Sequence, residues 1–156
     1  VGMSSMVRTF IEALNRLEDT GDADPITALF KDEATVSNPL VLHEGQGREA
    51  ARAFWLAYRE AFQSIRSEFR HIIDSDGVAF LEWVSIGATR EGPFRYGGVS
   101  VIEHREDKIT GFRSYFDPAH LHAHDGETRR HVGHESPLVA AQKDDAEDHA
   151  KNGGYQ

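Results

Sequence analysis

Cysteine is absent from this chain of 156 residues, which excludes a disulfide framework, thiolate metal ligation and a thiol nucleophile. Basic side chains are scarce, 17 against 26 acidic ones, for a net charge of −9. Without a basic face, neither nucleic acid nor an anionic membrane is an expected partner. No apolar run approaches the roughly 20 residues of a transmembrane helix. Arg8 and Glu12 interrupt the first apolar stretch, which is unlike a secretory signal. These absences leave the expectation of a soluble, cytoplasmic, globular protein. At roughly 100–200 residues per domain, the length corresponds to a single folded unit.

Large apolar residues concentrate before residue 118. From residue 120 to 156 only Leu121, Val132, Leu138, Val139 and Tyr155 are large and apolar, and six of the nine histidines fall there. So little apolar surface does not offset the entropy of ordering the segment. The expected organisation is a folded domain over 1–118 and a His-rich, acidic appendage over 119–156, partly disordered or carrying a short docking helix over about 136–150.

The first half has helical periodicity. Val7, Phe10, Ile11, Leu14 and Leu17 recur on one face, with Ser4 or Ser5 as cap and Gly21 as stop. Asp24-Pro25 reads as a cap followed by proline at the first helical position, opening a short helix that presents Ile26, Leu29 and Phe30. Ala51, Phe54, Trp55, Tyr58 and Phe62 form the apolar stripe of a third helix over 48–62. The second half reads as strands over about 65–73, 78–89, 95–105 and 109–117. They are separated by Asp74-Ser75-Asp76-Gly77, Glu91-Gly92-Pro93 and Glu106-Asp107-Lys108. Short connections favour antiparallel neighbours, and Thr35–Asn38 adds a fifth strand. The expected fold is α+β: a conical, curved antiparallel sheet of four to six strands, with three N-terminal helices enclosing a cavity. On the last strand Phe112, Ser114 and Phe116 alternate with Arg113, Tyr115 and Asp117. The first set is the more apolar and is expected to face the cavity.

Three segments resemble one family. Phe30-Lys31-Asp32-Glu33-Ala34-Thr35-Val36-Ser37-Asn38-Pro39 is similar to the segment joining second helix and first strand in the nuclear transport factor 2-like superfamily. Gly47-Arg48-Glu49-Ala50, with Phe54 following, resembles the start of its third helix. Lys108-Ile109 and then Phe112-Arg113-Ser114-Tyr115-Phe116-Asp117 resemble its last strand. The likeness covers about residues 6–118 and is nearest the SnoaL-like polyketide cyclases and their ketosteroid isomerase relatives. The fold hosts isomerases, cyclases, epoxide hydrolases, dehydratases and non-enzymatic modules, so it does not specify chemistry.

Carried over residue by residue, the resemblance implies a changed site. The aspartate base of ketosteroid isomerases falls on Asn38, an amide that cannot take and return a proton near neutral pH. Their oxyanion tyrosine falls on Leu14 and their protonated aspartic acid near Ser100. The charged set of limonene epoxide hydrolases falls on Trp83, Ser85 and Ser114, with only the water-holding asparagine retained, as Asn38. Ser114 also takes the place where SnoaL-like cyclases reach an ionisable residue into the cavity. Strand alternation puts His104 on the face of Ser100 and Ile102, which makes it the candidate acid–base. Glu82 and Asp117 are expected to point away from the cavity.

Asn38 equally suits a turn preparing Pro39, and Trp55, Tyr58 and Trp83 equally suit an ordinary core. His120, His122 and His124 alternate at the head of the tail, a pattern that binds zinc, nickel or copper. No partner ligand on the core is identifiable, so no metal and no cofactor is assigned. Two readings follow. One is a SnoaL-like protein binding a small apolar molecule and acting as isomerase, cyclase or hydratase by proton transfer. His104 would be catalytic, and Asn38, Trp55, Tyr58, Trp83, Ser85, Ser100, Phe112 and Ser114 would bind the ligand. The other is a non-catalytic ligand-binding or assembly module. In both, the outer face of the sheet, with Arg113 and Tyr115, is expected to pair two copies as a homodimer.

Overall fold

The computed structural model describes residues 3–41 and 43–121. The expected appendage, apart from its first residues, lies outside the described residues, as do its short helix and most of its histidines. Helix α1, Ser5–Thr20, begins where Ser4 Oγ accepts the Val7 N–H at 3.3 Å and ends at Gly21 in the left-handed conformation, φ 79°. Its buried stripe includes Phe10, Leu14 and Leu17 and ends on a charged residue, Glu18. Helix α2 spans Asp24–Ala28. Asp24 is its first residue rather than its cap. Asp22 stands outside the helix and accepts the Asp24 N–H at 3.0 Å.

Phe30 does not close α2, as its spacing suggested, but opens strand β1, Phe30–Ser37. The reason is tertiary. Ile109 donates its backbone N–H to Leu29 at 2.7 Å, and Phe30 pairs with Ile109, so the chain is captured by the sheet as soon as the helix ends. The two-residue strand β2, Gly45–Gln46, carries no periodic signal and was not legible. Helix α3, Arg48–Glu60, ends two residues earlier than its apolar stripe implied. Strands β3 (Ser64–Ser75), β4 (Val78–Thr89), β5 (Gly92–Arg105) and β6 (Lys108–Phe116) follow.

These six strands form one curved sheet in the order β2-β1-β6-β5-β4-β3. All neighbours are antiparallel except β1 and β6, which run parallel. A register shift between Phe69 and His71 marks a bulge in β3, a feature that bends a strand. Helices α1 and α3 cover one face, and Phe10, Leu17, Trp55, Leu81, Ile102 and Phe112 belong to the core between them. The opposite face leaves Phe80, Ile86 and Tyr115 exposed. No described helix is long and apolar enough to cross a membrane.

His104 is on the covered face of the sheet, as alternation implied, but not in the cavity. It lies four residues beyond Ser100, about 13 Å along the strand, with the fully buried Ile102 between them. There its Nε2 is 3.0 Å from Asp74 Oδ1, while Asp74 Oδ2 accepts the Ser4 N–H at 2.8 Å. This cluster staples the start of α1 to β3 and β5. Alternation gives the face of a strand residue and not its depth, which is why the sequence misplaced His104. Burial pushes the Asp74 carboxyl up, but hydrogen bonds from Ser4 and His104 outweigh it and hold the group below its usual 3.8. A lowered carboxylate stabilises the fold above its unfolded value, and that contribution is lost as pH falls through the folded value. Asp74→Asn is therefore expected to cost about 1–3 kcal/mol at neutral pH. Urea melts should show the gap to the unaltered protein closing between about pH 5 and about pH 2; a gap independent of pH would contradict the assignment.

Candidate functional site

The curved sheet and the two long helices leave a cavity whose wall includes Phe10 and Leu14 of α1, Phe54 of α3, Phe69 of β3 and Phe116 of β6. The volume of this cavity is about 40 Å³. The eight residues assigned to ligand binding from the sequence all stand on this wall: Asn38 after β1, Trp55 and Tyr58 from α3, Trp83 and Ser85 from β4, Ser100 from β5, Phe112 and Ser114 from β6. His104 does not. Glu82 points outward, its carboxylate 2.7 Å from His71 Nδ1.

Two polar chains cross the otherwise apolar wall. The first starts at Glu18, which is 4% exposed. Its carboxylate accepts Tyr58 O–H at 2.7 Å, Ser67 N–H at 2.9 Å and Ser67 O–H at 2.7 Å. Three donors suit the acceptor-only character of an ionised carboxylate. Ser67 Oγ also lies 2.6 Å from Ser85 Oγ. The single Ser67 hydroxyl proton is committed to Glu18, so Ser85 is the donor in that contact. The second chain starts at the Trp83 indole, whose Nε1–H donates to Ser100 Oγ at 2.9 Å. Ser100 and Ser114 face each other across β5 and β6, with hydroxyls 2.8 Å apart. Gly98 pairs with Trp83 in the register, and a Cβ at Gly98 would come within 2.6 Å of the indole. Only a bare backbone there lets the ring reach Ser100.

Asn38 makes the turn and also borders the cavity. Its Oδ1 accepts the Leu40 N–H at 2.9 Å, the Asx turn that Pro39 sits in, and its side chain stands on the cavity wall. That bond fixes the amide so that Nδ2 is left to donate. Trp55 packs its ring 4.9 Å from Phe112, and its Nε1 is buried with no acceptor among the described residues. Among the described residues no group of three or more His, Asp or Glu side chains is placed to hold a metal ion.

Sequence reasoning missed Glu18, Ser67, Phe69 and Tyr96. The signal for Glu18 was present: it is the next position on the stripe of Leu14 and Leu17, where a charge is out of place. Tyr96 is buried against Trp83 and Phe94, and burial raises its hydroxyl above the ordinary value. Burial, followed by the neighbouring Tyr96 and Glu18, pushes Tyr58 well above it too. Both stay protonated at neutral pH.

The SnoaL-like domain family matches residues 7–112. No curated protein matches the sequence. Among solved structures, an NTF2-like protein from Anabaena variabilis is 18% identical with a TM-score of 0.68, over 75% of this chain and 94% of that one. A protein of ketosteroid isomerase-like fold from Catenulispora acidiphila, in complex with trimethylamine, is 17% identical with a TM-score of 0.67, over 80% and 95%. An LEH-like epoxide hydrolase from M. tuberculosis is 18% identical with a TM-score of 0.58, over 74% and 83%. At such identities the likeness is one of fold.

Glu18 carries the heaviest demand in the site. Glu18→Ala strands three donors and is expected to cost about 2–4 kcal/mol in a urea melt. Glu18→Gln, which keeps one acceptor, should cost about half as much. A loss under about 0.5 kcal/mol for Glu18→Ala would show that these bonds do not hold the fold.

Proposed function

The chain belongs to the SnoaL-like domain family, and from that membership and the cavity's chemistry we propose that it binds a small, neutral, largely apolar molecule. One observation carries this reading: among the described residues no Asp, Glu, Lys, Arg or His stands on the cavity wall, and both its tyrosines are held protonated. A charged ligand would be desolvated there with no counter-charge facing it. The aromatic wall of Trp55, Tyr58, Trp83 and Phe112 offers apolar area, and Asn38, Ser85, Ser100 and Ser114 offer a few fixed polar atoms, the usual composition of a ligand site.

The enzymatic alternative, an isomerase, cyclase or hydratase working by proton transfer, has one specific support. Glu18 is a carboxylate bonded directly to two hydroxyls of the wall, those of Tyr58 and Ser67. It does not line the cavity itself, so any proton it took would have to pass through one of those hydroxyls, an indirect arrangement for a general base.

The exposed Phe80, Ile86 and Tyr115 on the outer sheet face support the pairing of two copies through that face.

Native mass spectrometry of freshly purified protein tests both readings together. The expected result is a dimer retaining a small organic molecule on each protomer, with the molecule absent from Ser114→Leu, whose longer side chain fills the void. Protein that retains nothing, and whose tryptophan fluorescence is unmoved by added alkylbenzenes, would sink the binding proposal. A monomer mass would sink the dimer. Release of a chemically altered molecule would establish the enzymatic alternative.

A further inference from the structure

The hydroxyls of the cavity wall do not point at random, because Glu18 commits several of their protons. Tyr58 and Ser67 both donate to its carboxylate, and Ser85 then donates to Ser67. Tyr58 and Ser85 stand on the wall; with their protons spent, each offers a ligand only oxygen lone pairs. The side of the cavity built by α3 and β4 is therefore an acceptor surface.

The side built by β1 and β6 has the opposite character. Trp83 can only donate, so Ser100 Oγ accepts from it. Ser100 is 4% exposed, and among the described residues the acceptor within reach of its own proton is Ser114 Oγ. Satisfying that buried hydroxyl leaves the Ser114 proton unbonded and available to a ligand. The pairing of Ser37 with Arg113 brings Asn38, the next residue, alongside Ser114, and the Asx turn leaves its Nδ2 as a donor.

We propose that Glu18, from behind the wall, gives the cavity a fixed hydrogen-bond polarity, so that its ligand is a neutral ring compound carrying a hydroxyl at one end and a carbonyl at the other. The hydroxyl donates to Tyr58 and Ser85, and the carbonyl accepts from Ser114 and Asn38. Glu18 is a positioning residue: it touches no ligand and sets which way its neighbours' protons face. This assignment rests on the cavity being a binding site and goes further by naming the ligand's chemistry.

Four para-substituted rings of nearly equal size separate the two claims. 4-Ethyltoluene has neither polar group, 4-ethylphenol has the donor, 4-methylacetophenone has the acceptor, and 4-hydroxyacetophenone has both. Affinities are read by calorimetry at about pH 6, where the phenols are neutral. In the unaltered protein 4-hydroxyacetophenone should bind tightest, and loss of either group should weaken binding about tenfold. In Glu18→Gln the amide can donate to Tyr58 or Ser67, freeing a proton toward the cavity. The hydroxyl's advantage should then shrink below about threefold while the carbonyl's advantage is retained. In Ser114→Ala the carbonyl's advantage should shrink and the hydroxyl's should remain. Equal binding of all four rings would overturn the polarity and leave the apolar site standing. Binding of none would overturn both. The four-ligand comparison in the unaltered protein decides the matter even if Glu18→Gln does not fold.

Discussion

A carboxylate buried between two helices and a sheet is the constraint on which the rest of this molecule turns. Glu18 comes from α1, Tyr58 from α3 and Ser67 from β3, and the three meet through hydrogen bonds of 2.7–2.9 Å. A buried charge without partners is far costlier than anything a domain of this size has to spare. The helices must therefore sit where those donors reach. Their placement opens the void beside the Glu18 cluster, and the same bonds decide which way the hydroxyls on one side of that void point. Stability and the proposed recognition thus share a single set of contacts.

Much of this was legible in the residues, and the part that was not has physical reasons. The helical stripes, the four long strands and the faces of Phe112 and Ser114 follow from periods of 3.6 and 2, the cavity side of Trp83 and Ser85 was implied by the family resemblance, and the structure has them all. Phe30 was misassigned because its fate depends on pairing with Ile109, a contact across most of the chain that no local period contains. β2 is too short to have a period. His104 was placed on the correct face and at the wrong depth. Glu18 was overlooked although a charge on an apolar stripe is itself a signal, because its donors come from two other elements.

The two acidic groups that do structural work here occupy opposite ends of the covered sheet face. Asp74 ties the start of α1 to the sheet through Ser4 and His104, and Glu18 ties its end through Tyr58 and Ser67. Between them the wall carries no charge among the described residues. The positions that the family resemblance assigns to catalytic groups in the isomerases and epoxide hydrolases hold an amide, a leucine, an indole and hydroxyls. In the proposed binding role, a cavity so composed would recognise by shape and by the direction of its hydrogen bonds, the means by which polar sites reject analogues that leave a partner unbonded.

The direction of those bonds is directly observable. Neutron diffraction from a deuterium-exchanged crystal at neutral pH would locate the exchangeable deuterons of the cavity wall. Those of Tyr58 and Ser67 should lie on the line to Glu18, that of Ser85 on the line to Ser67, and the Glu18 carboxylate should be bare. A deuteron on Glu18, or a Tyr58 deuteron turned into the void, would contradict the polarity that Glu18 is said to impose.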